Sequence, residues 1–302
     1  RWSRYGTLIA DLTPVVFFAA LLPRFVAWGP LVGSKQDEWY NVVRSLRVLF
    51  DGGDIQYYIH PSVYYETLAV VLRIHGSWLQ WTDEITTFEQ YVSFFVSNDG
   101  VTLDVARALS CIAAATAVLV VSIAARRHVS HGAGFVAGFF FISTPTLFQT
   151  AGSVRVDALF LMFLAMAILA ILEFLDRPTR RRAWVASGCT GLAMATNYPG
   201  VALLPLLIAA IYWARKTDGD DNTKARSQIV PAVFTVMAVY AATNYHQIFN
   251  ATQFTHWFSF QASTLIATHA HAQRPELLHY VTLLAGQNIL AIGTVVIGAM
   301  AL

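Results

Sequence analysis

Residues 102–131, TLDVARALSCIAAATAVLVVSIAARRHVSH, run a long apolar stretch into a cluster of arginine and histidine. An apolar run of about 20 residues crosses the hydrocarbon of a bilayer as a helix. Loops rich in Lys and Arg stay on the cytoplasmic side. The same design recurs along the chain. Residues 132–150, 157–175, 183–213 and 228–249 are almost free of charge in their interiors, and the connections read ARRHVSH, DRPTRRR and ARKTDGDDNTKARS. The pattern predicts an all-α, polytopic transmembrane helix bundle.

Composition agrees. Of 302 residues, 56% are hydrophobic and 13% charged, against about 25% charged in soluble domains, and mean hydropathy is +0.52. The net charge of +2 matters less than its distribution, and no basic tract points to nucleic acid. Cys111 and Cys189 lie inside apolar segments, so neither suggests a disulfide framework. Arg1 and Arg4 precede an apolar stretch from Leu8, with no small-residue cleavage site after it. That reads as an uncleaved first helix. The chain opens without Met and stops at Leu302 inside another apolar run, so further sequence is expected at both ends.

Parity sets the topology. With the three basic loops inside, segments 132–150 and 157–175 form a pair closed by an outer turn at Gly152–Val156. The run 183–213 must also cross twice, and Asn197-Tyr198-Pro199-Gly200 supplies the breaker. The expected spans are 6–28, 102–125, 132–150, 157–175, 183–197, 199–213, 228–249 and 282–302, with outer loops at 29–101 and 250–281. Residues 60–81 interrupt their apolar run with Glu66, Arg73 and His75 and carry Trp78 and Trp81. They are expected to form an amphipathic helix at the outer interface. Charge supports this orientation: 12 of the 20 Lys and Arg sit in the N-terminus and the three inner loops, whereas loop 29–101 carries 9 carboxylates against 4 Lys and Arg.

The candidate chemistry lies on the outer side. Asp37 and Glu38 follow the first helix; they are either a wet helix start or a general base poised at an acceptor group. His60-Pro61 opens the interfacial helix, with Tyr64 close behind. Arg155 occupies an outer turn, where the positive-inside rule gives it no place, with Asp157 beside it. A guanidinium there suits a phosphate or a carboxylate. Asn197 and Tyr198 share that face. His269, His271 and Arg274 cluster in the second outer loop; without a third ligand at zinc-like spacing, a phosphate head group fits them at least as well as a metal. Asp11, Arg24 and Arg107 read as structural charges near helix ends.

Taken in order, the helix, DE, HP with aromatics, R-x-D, T-x-Y-P turn and His-rich loop resemble the GT-C glycosyltransferases. The resemblance is to the family of protein O-mannosyltransferases and the bacterial lipid A aminoarabinose transferase. ARALSCIAAATAVLVVSIAARR, STPTLFQTAGSVRVDALFLMFLAMAILA and WVASGCTGLAMATNYPG are similar to that family, and the likeness covers nearly the whole chain. It implies a single GT-C module over 1–302, missing C-terminal helices. It also implies an inverting enzyme in a bacterial plasma membrane or eukaryotic endoplasmic reticulum membrane. Such an enzyme takes a sugar from a polyprenyl-phosphate donor to a lipid, glycan or protein acceptor on the non-cytoplasmic face. By that resemblance Asp37 is the expected base with Glu38 beside it, and His60, Arg155 and Asp157 match further motifs. His269, His271 and Arg274 fall where a later loop meets the lipid phosphate. Many relatives carry Lys where this chain has Asn197. Either Arg155 and Arg274 suffice for the phosphate, or this member is altered or inactive. No residue is assigned to metal, and a divalent cation is the one cofactor left open.

Two other readings compete. A transporter would need buried ionisable residues along its helices, which these spans lack. A catalytically silent subunit of a membrane complex is the third.

Overall fold

The computed structural model describes residues 13–18, 35–50, 60–130, 132–217, 222–256 and 259. Among the described residues every regular element is a helix. Of the expected spans, 6–28 is described only at 13–18, and 282–302 lies outside the described residues, as does loop 250–281 beyond 259.

Helix α1 (Lys35–Phe50) starts with Asp37 and Glu38 in its first turn and carries Arg47 in its last, as the helix dipole favours. It is followed by α2 (Val63–Trp81) and α3 (Gln90–Ser97). The long α4 (Asp99–His128) has Asp99 in its first turn and Arg126, Arg127 and His128 in its last. At 30 residues it is about 45 Å long. Helix α7 (Val156–Asp176), with 21 residues, is about 32 Å long. These two are long and apolar enough to cross a membrane, with mean hydropathies of 2.3 and 2.6 over their most apolar windows. Only 39% and 33% of those windows is buried inside the fold. A soluble core helix hides most of its apolar surface, whereas these turn most of it outward, as a lipid solvent permits.

Residues 132–150 do not form one helix. Helix α5 (Ala133–Ile142) stops, Thr144 is extended at φ −74°, ψ 128°, and α6 (Pro145–Ala151) restarts with Pro in its first turn. Proline pushes the residue before it out of the helical region and suits a helix start. The expected continuous span is therefore a broken one of 10 and 7 residues.

The run 183–213 breaks where Pro–Gly stands. Helix α8 (Arg180–Thr196) ends, Asn197 is extended, a 3₁₀ turn covers Tyr198–Ala202, and α9 (Leu203–Thr217) leads away. A Cβ on Gly200 would meet the α8 backbone at Ala193 C and Met194 N, both at 2.6 Å, so only glycine lets the turn lie this close. Helix α10 (Asn222–Thr243) ends before the expected 249, and a short α11 (Tyr245–Phe249) follows Asn244.

Small residues set the spacing of α8 against α10. A Cβ on Gly191 would come within 2.8 Å of Val239 Cβ and 3.0 Å of Val236 O, the close backbone approach typical of helices packed without a water-driven force. At one end of the bundle Arg127 and Arg182 both pair with Glu173, and His128 Nδ1 lies 3.2 Å from Asp176. Gln228 shares a cleft with Arg180 and Trp184 there. The two Arg-rich connections among the described residues, around 126–130 and 176–182, thus meet at one end, and Gln228 lies there too. At the other end sit α1, the 152–155 turn, the Tyr198 turn and α11. Helix α2 is two-faced: Tyr64, Tyr65, Leu68 and Leu72 are buried, whereas Val70, Ile74, Trp78 and Trp81 are exposed.

Candidate active site

The helical repeat places Asp37, Tyr40, Asn41 and Arg44 along one face of α1. They line a cleft of about 310 Å³ together with His60, Arg155, Val156 and Asp157. Four residues singled out from the sequence, far apart in the chain, therefore meet: Asp37, His60, Arg155 and Asp157.

Glu38 points elsewhere. It is 1% exposed and forms a paired interaction with Arg107, Nη2 to Oε2 at 2.6 Å and Nε to Oε1 at 3.2 Å. Its Oε1 also accepts the Val154 N–H at 3.0 Å. One turn further along α1, Asn41 Nδ2 donates to Val154 O at 2.7 Å. Two side chains of α1 thus clamp both backbone groups of Val154. The chain leaves that clamp extended, Arg155 at φ −132°, ψ 149°, with Val154 and Val156 buried. Alternation along extended backbone then sends Arg155 to the cleft, and Asp157 follows on the first turn of α7. Glu38 is not beside Asp37 in the cleft because adjacent helical residues point about 100° apart.

The His-Pro turn is tied to the end of α10. Ser62 N donates to Asn244 Oδ1 at 2.6 Å, and Ser62 Oγ donates to Thr243 O. Gln247 Nε2 reaches His60 O at 3.5 Å and Tyr198 OH at 3.4 Å, while Tyr240 OH donates to Gln247 Oε1 at 2.8 Å. His60 Nδ1 is buried without a hydrogen-bond partner among the described residues. Burial holds the imidazole below its ordinary pKa and the Arg44 charge adds to this, while Asp157 and Asn197 pull the other way. The ring is therefore neutral at pH 7, with a lone pair or an N–H to offer.

Tyr64 lies beneath the cleft wall, fully buried and T-shaped against Tyr65 at 5.5 Å between ring centroids. Burial raises its phenol well above the usual range. It is Tyr65 that touches cleft residues, its hydroxyl lying 3.4 Å from both Arg44 Nη1 and Asn41 Oδ1. Asn197 stands at the cleft's edge, Nδ2 donating to Asp157 Oδ1 at 3.4 Å. Tyr198 sits behind it, bonded to Gln247. His269, His271 and Arg274 lie outside the described residues. Among the described residues no group of three or more His, Cys, Asp or Glu is placed to hold a metal ion.

Arg44 is the residue that sequence reading missed. Its signal was its position seven residues after Asp37, two turns along the same helical face. It brings a second guanidinium to the cleft alongside Arg155. Two cations, two carboxylates and a neutral imidazole around one polar hollow can hold a phosphate while a carboxylate takes a proton.

No curated protein and no solved structure matched the chain in comparison. The sequence model of the dolichyl-phosphate-mannose-protein mannosyltransferase family matches residues 91–246. That match spans α3 to the start of α11 and holds Arg155, Asp157, Asn197 and Tyr198. Covering more than half of the chain, it shows that this membrane protein belongs to the dolichyl-phosphate-mannose-protein mannosyltransferase family, glycosyltransferases of the GT-C kind.

Proposed function

We propose that the protein is an inverting glycosyltransferase that takes a sugar from a polyprenyl-phosphate donor and passes it to a hydroxyl or amine acceptor. The cleft bearing Asp37, Arg44, His60, Arg155 and Asp157 is the observation that carries this reading. In such a transfer the bond from the anomeric carbon to the phosphate oxygen breaks. The acceptor attacks the opposite face through an oxocarbenium-like transition state, and its proton goes to a base. Asp37, exposed at the mouth of the cleft, is that base. Arg44 and Arg155 meet the charge that develops on the departing phosphate, the electrostatic contribution that dominates many such reactions. A phosphate needs no strong general acid to leave, which suits a neutral His60 acting as a hydrogen-bonding group.

Asp157 and Asn197 orient the site: the amide holds the carboxylate, and the carboxylate balances the two guanidiniums. Arg44 supplies the cation that many relatives place at the Asn197 position. Glu38 is a positioning residue acting through Val154 and Arg107. His269, His271 and Arg274 remain candidates for the same phosphate.

The chain crosses the membrane several times, with the Arg-rich end in the cytoplasm and the cleft on the outer or lumenal side. The meeting of the Arg-rich 126–130 and 176–182 connections at one end supports that orientation. Helix α2 lies in the outer interface, its Val70–Trp81 stripe in lipid, where it would hold the polyprenyl chain beside the cleft. The family's description favours a dolichyl-type mannosyl donor and a protein acceptor.

The test is release of free polyprenyl phosphate. Purified protein is incubated with polyprenyl-phosphate mannose and a mixed acceptor pool, and turnover is compared with that of Arg155→Ala. Donor cleavage that drops in the variant supports the reading. A folded protein that cleaves none of a panel of donors overturns it.

A further inference from the structure

At the Arg-rich end, opposite the cleft, α4, α7 and α8 enclose a groove of about 580 Å³ that belongs to no step of the proposed reaction. Its inner part is aliphatic, lined by Val120, Met166, Leu169 and Val185. Its rim carries Arg127, Arg181 and Arg182 with Glu173. Arg127 and Arg182 both pair with the Glu173 carboxylate, so that carboxylate cancels one of their two charges. Arg181 is exposed and pairs with no carboxylate among the described residues. The rim keeps two net positive charges beside an apolar slot. A soluble anion would have no use for the slot, and a neutral lipid none for the charge.

We infer that this groove binds an anionic glycerophospholipid of the cytoplasmic leaflet, its phosphate at Arg181 and one acyl chain along Val120, Leu169 and Val185. Charge complementarity commits the occupant. Basic pockets between helices on the cytoplasmic side suit acidic head groups. The lipid would bridge α4 to α8 and bind across the elements whose far ends hold the cleft. Trp184, exposed on the next face of α8, fits the interface level at which the head group would sit.

Purified full-length protein is titrated with phosphatidylglycerol and with phosphatidylcholine, and bound lipid is counted by native mass spectrometry. Wild type is expected to hold one phosphatidylglycerol at least tenfold more tightly than phosphatidylcholine. Arg181→Gln should lose about fivefold of that preference, the equivalent of about 1 kcal/mol, with Arg181→Lys retaining most of it. Val185→Trp should block the slot and remove the tight site. Glycerol 3-phosphate, which lacks acyl chains, should not compete. Equal affinity for the two lipids, a preference untouched by Arg181→Gln and Val185→Trp, or full competition by glycerol 3-phosphate would each overturn the lipid site. Arg181 is exposed and outside the ion-pair network, so its variants are expected to melt as wild type does. The readout needs no sugar transfer and is independent of the reaction assigned to the cleft.

Discussion

Replacing Glu38 by Ala removes three interactions made in a place without water. Glu38 and Arg107 are 1% and 3% exposed, and the carboxylate takes both guanidinium contacts as well as the Val154 N–H. Truncation leaves a buried guanidinium with Asp104 as its remaining carboxylate, at 2.8 Å and half exposed. Breaking one side of a buried ion pair costs about 3–5 kcal/mol. At about 2–4 °C per kcal/mol for a chain of this size class, the melting temperature should fall by about 6–20 °C. The assay is thermal unfolding of the purified protein in detergent, with polyprenyl-phosphate turnover measured on the folded fraction. Glu38→Gln keeps an acceptor for Val154 and should fall by less. Combining it with Arg107→Met removes the stranded charge and should recover part of the loss. If Glu38→Gln melted like wild type yet turned over no donor, Glu38 would be acting on substrate and the positioning role would be wrong.

Arg44→Gln and Arg155→Gln should each lower kcat about 10²–10³-fold, the usual effect of removing one stabilising donor, and the double variant shows whether the two share one phosphate. His60 and His75 are both held below the ordinary histidine pKa, chiefly by burial. Because the folded state resists protonation, the stability they contribute is complete above about pH 6.5 and is lost as pH falls through the depressed folded values. Melting temperature should therefore decline from pH 7 to pH 5, with a shallower decline in His60→Gln and His75→Gln. Asn244→Ala leaves the buried Ser62 N–H without its acceptor, which should cost about 1–3 kcal/mol in a melt and loosen His60. Gly200→Ala drives a Cβ into the α8 backbone; an overpacking cost of about 1–3 kcal/mol should appear as a lower melting temperature.

Much of the helical layout was written in hydropathy and punctuation. The break at Asn197–Ala202 followed from Pro199-Gly200, and α4 and α7 have the bounds expected to within three residues. The break within 132–150 was not legible from apolar content, because Ser143-Thr144-Pro145 is polar enough to stop a helix but too short to dent a hydropathy window. Asp37, His60, Arg155 and Asp157 were visible as charged or polar residues kept beside a membrane, and the fold gathers them into one cleft. Glu38 and Asp37 could not be told apart by type. Their separate surroundings are set by Arg107, which lies 69 residues away. Arg44 was hidden for the opposite reason: its place on the face of Asp37 is plain, but only the arrival of the 155–157 turn makes that face a site.

The most direct test of the account compares wild type with Asp37→Asn for release of polyprenyl phosphate from a polyprenyl-phosphate sugar. The substitution keeps the shape of the side chain and removes its capacity to take a proton. Melting temperature and donor binding should stay at wild-type levels while turnover falls at least a hundredfold. Near-normal turnover in a folded Asp37→Asn protein would contradict the assignment of Asp37 as the base.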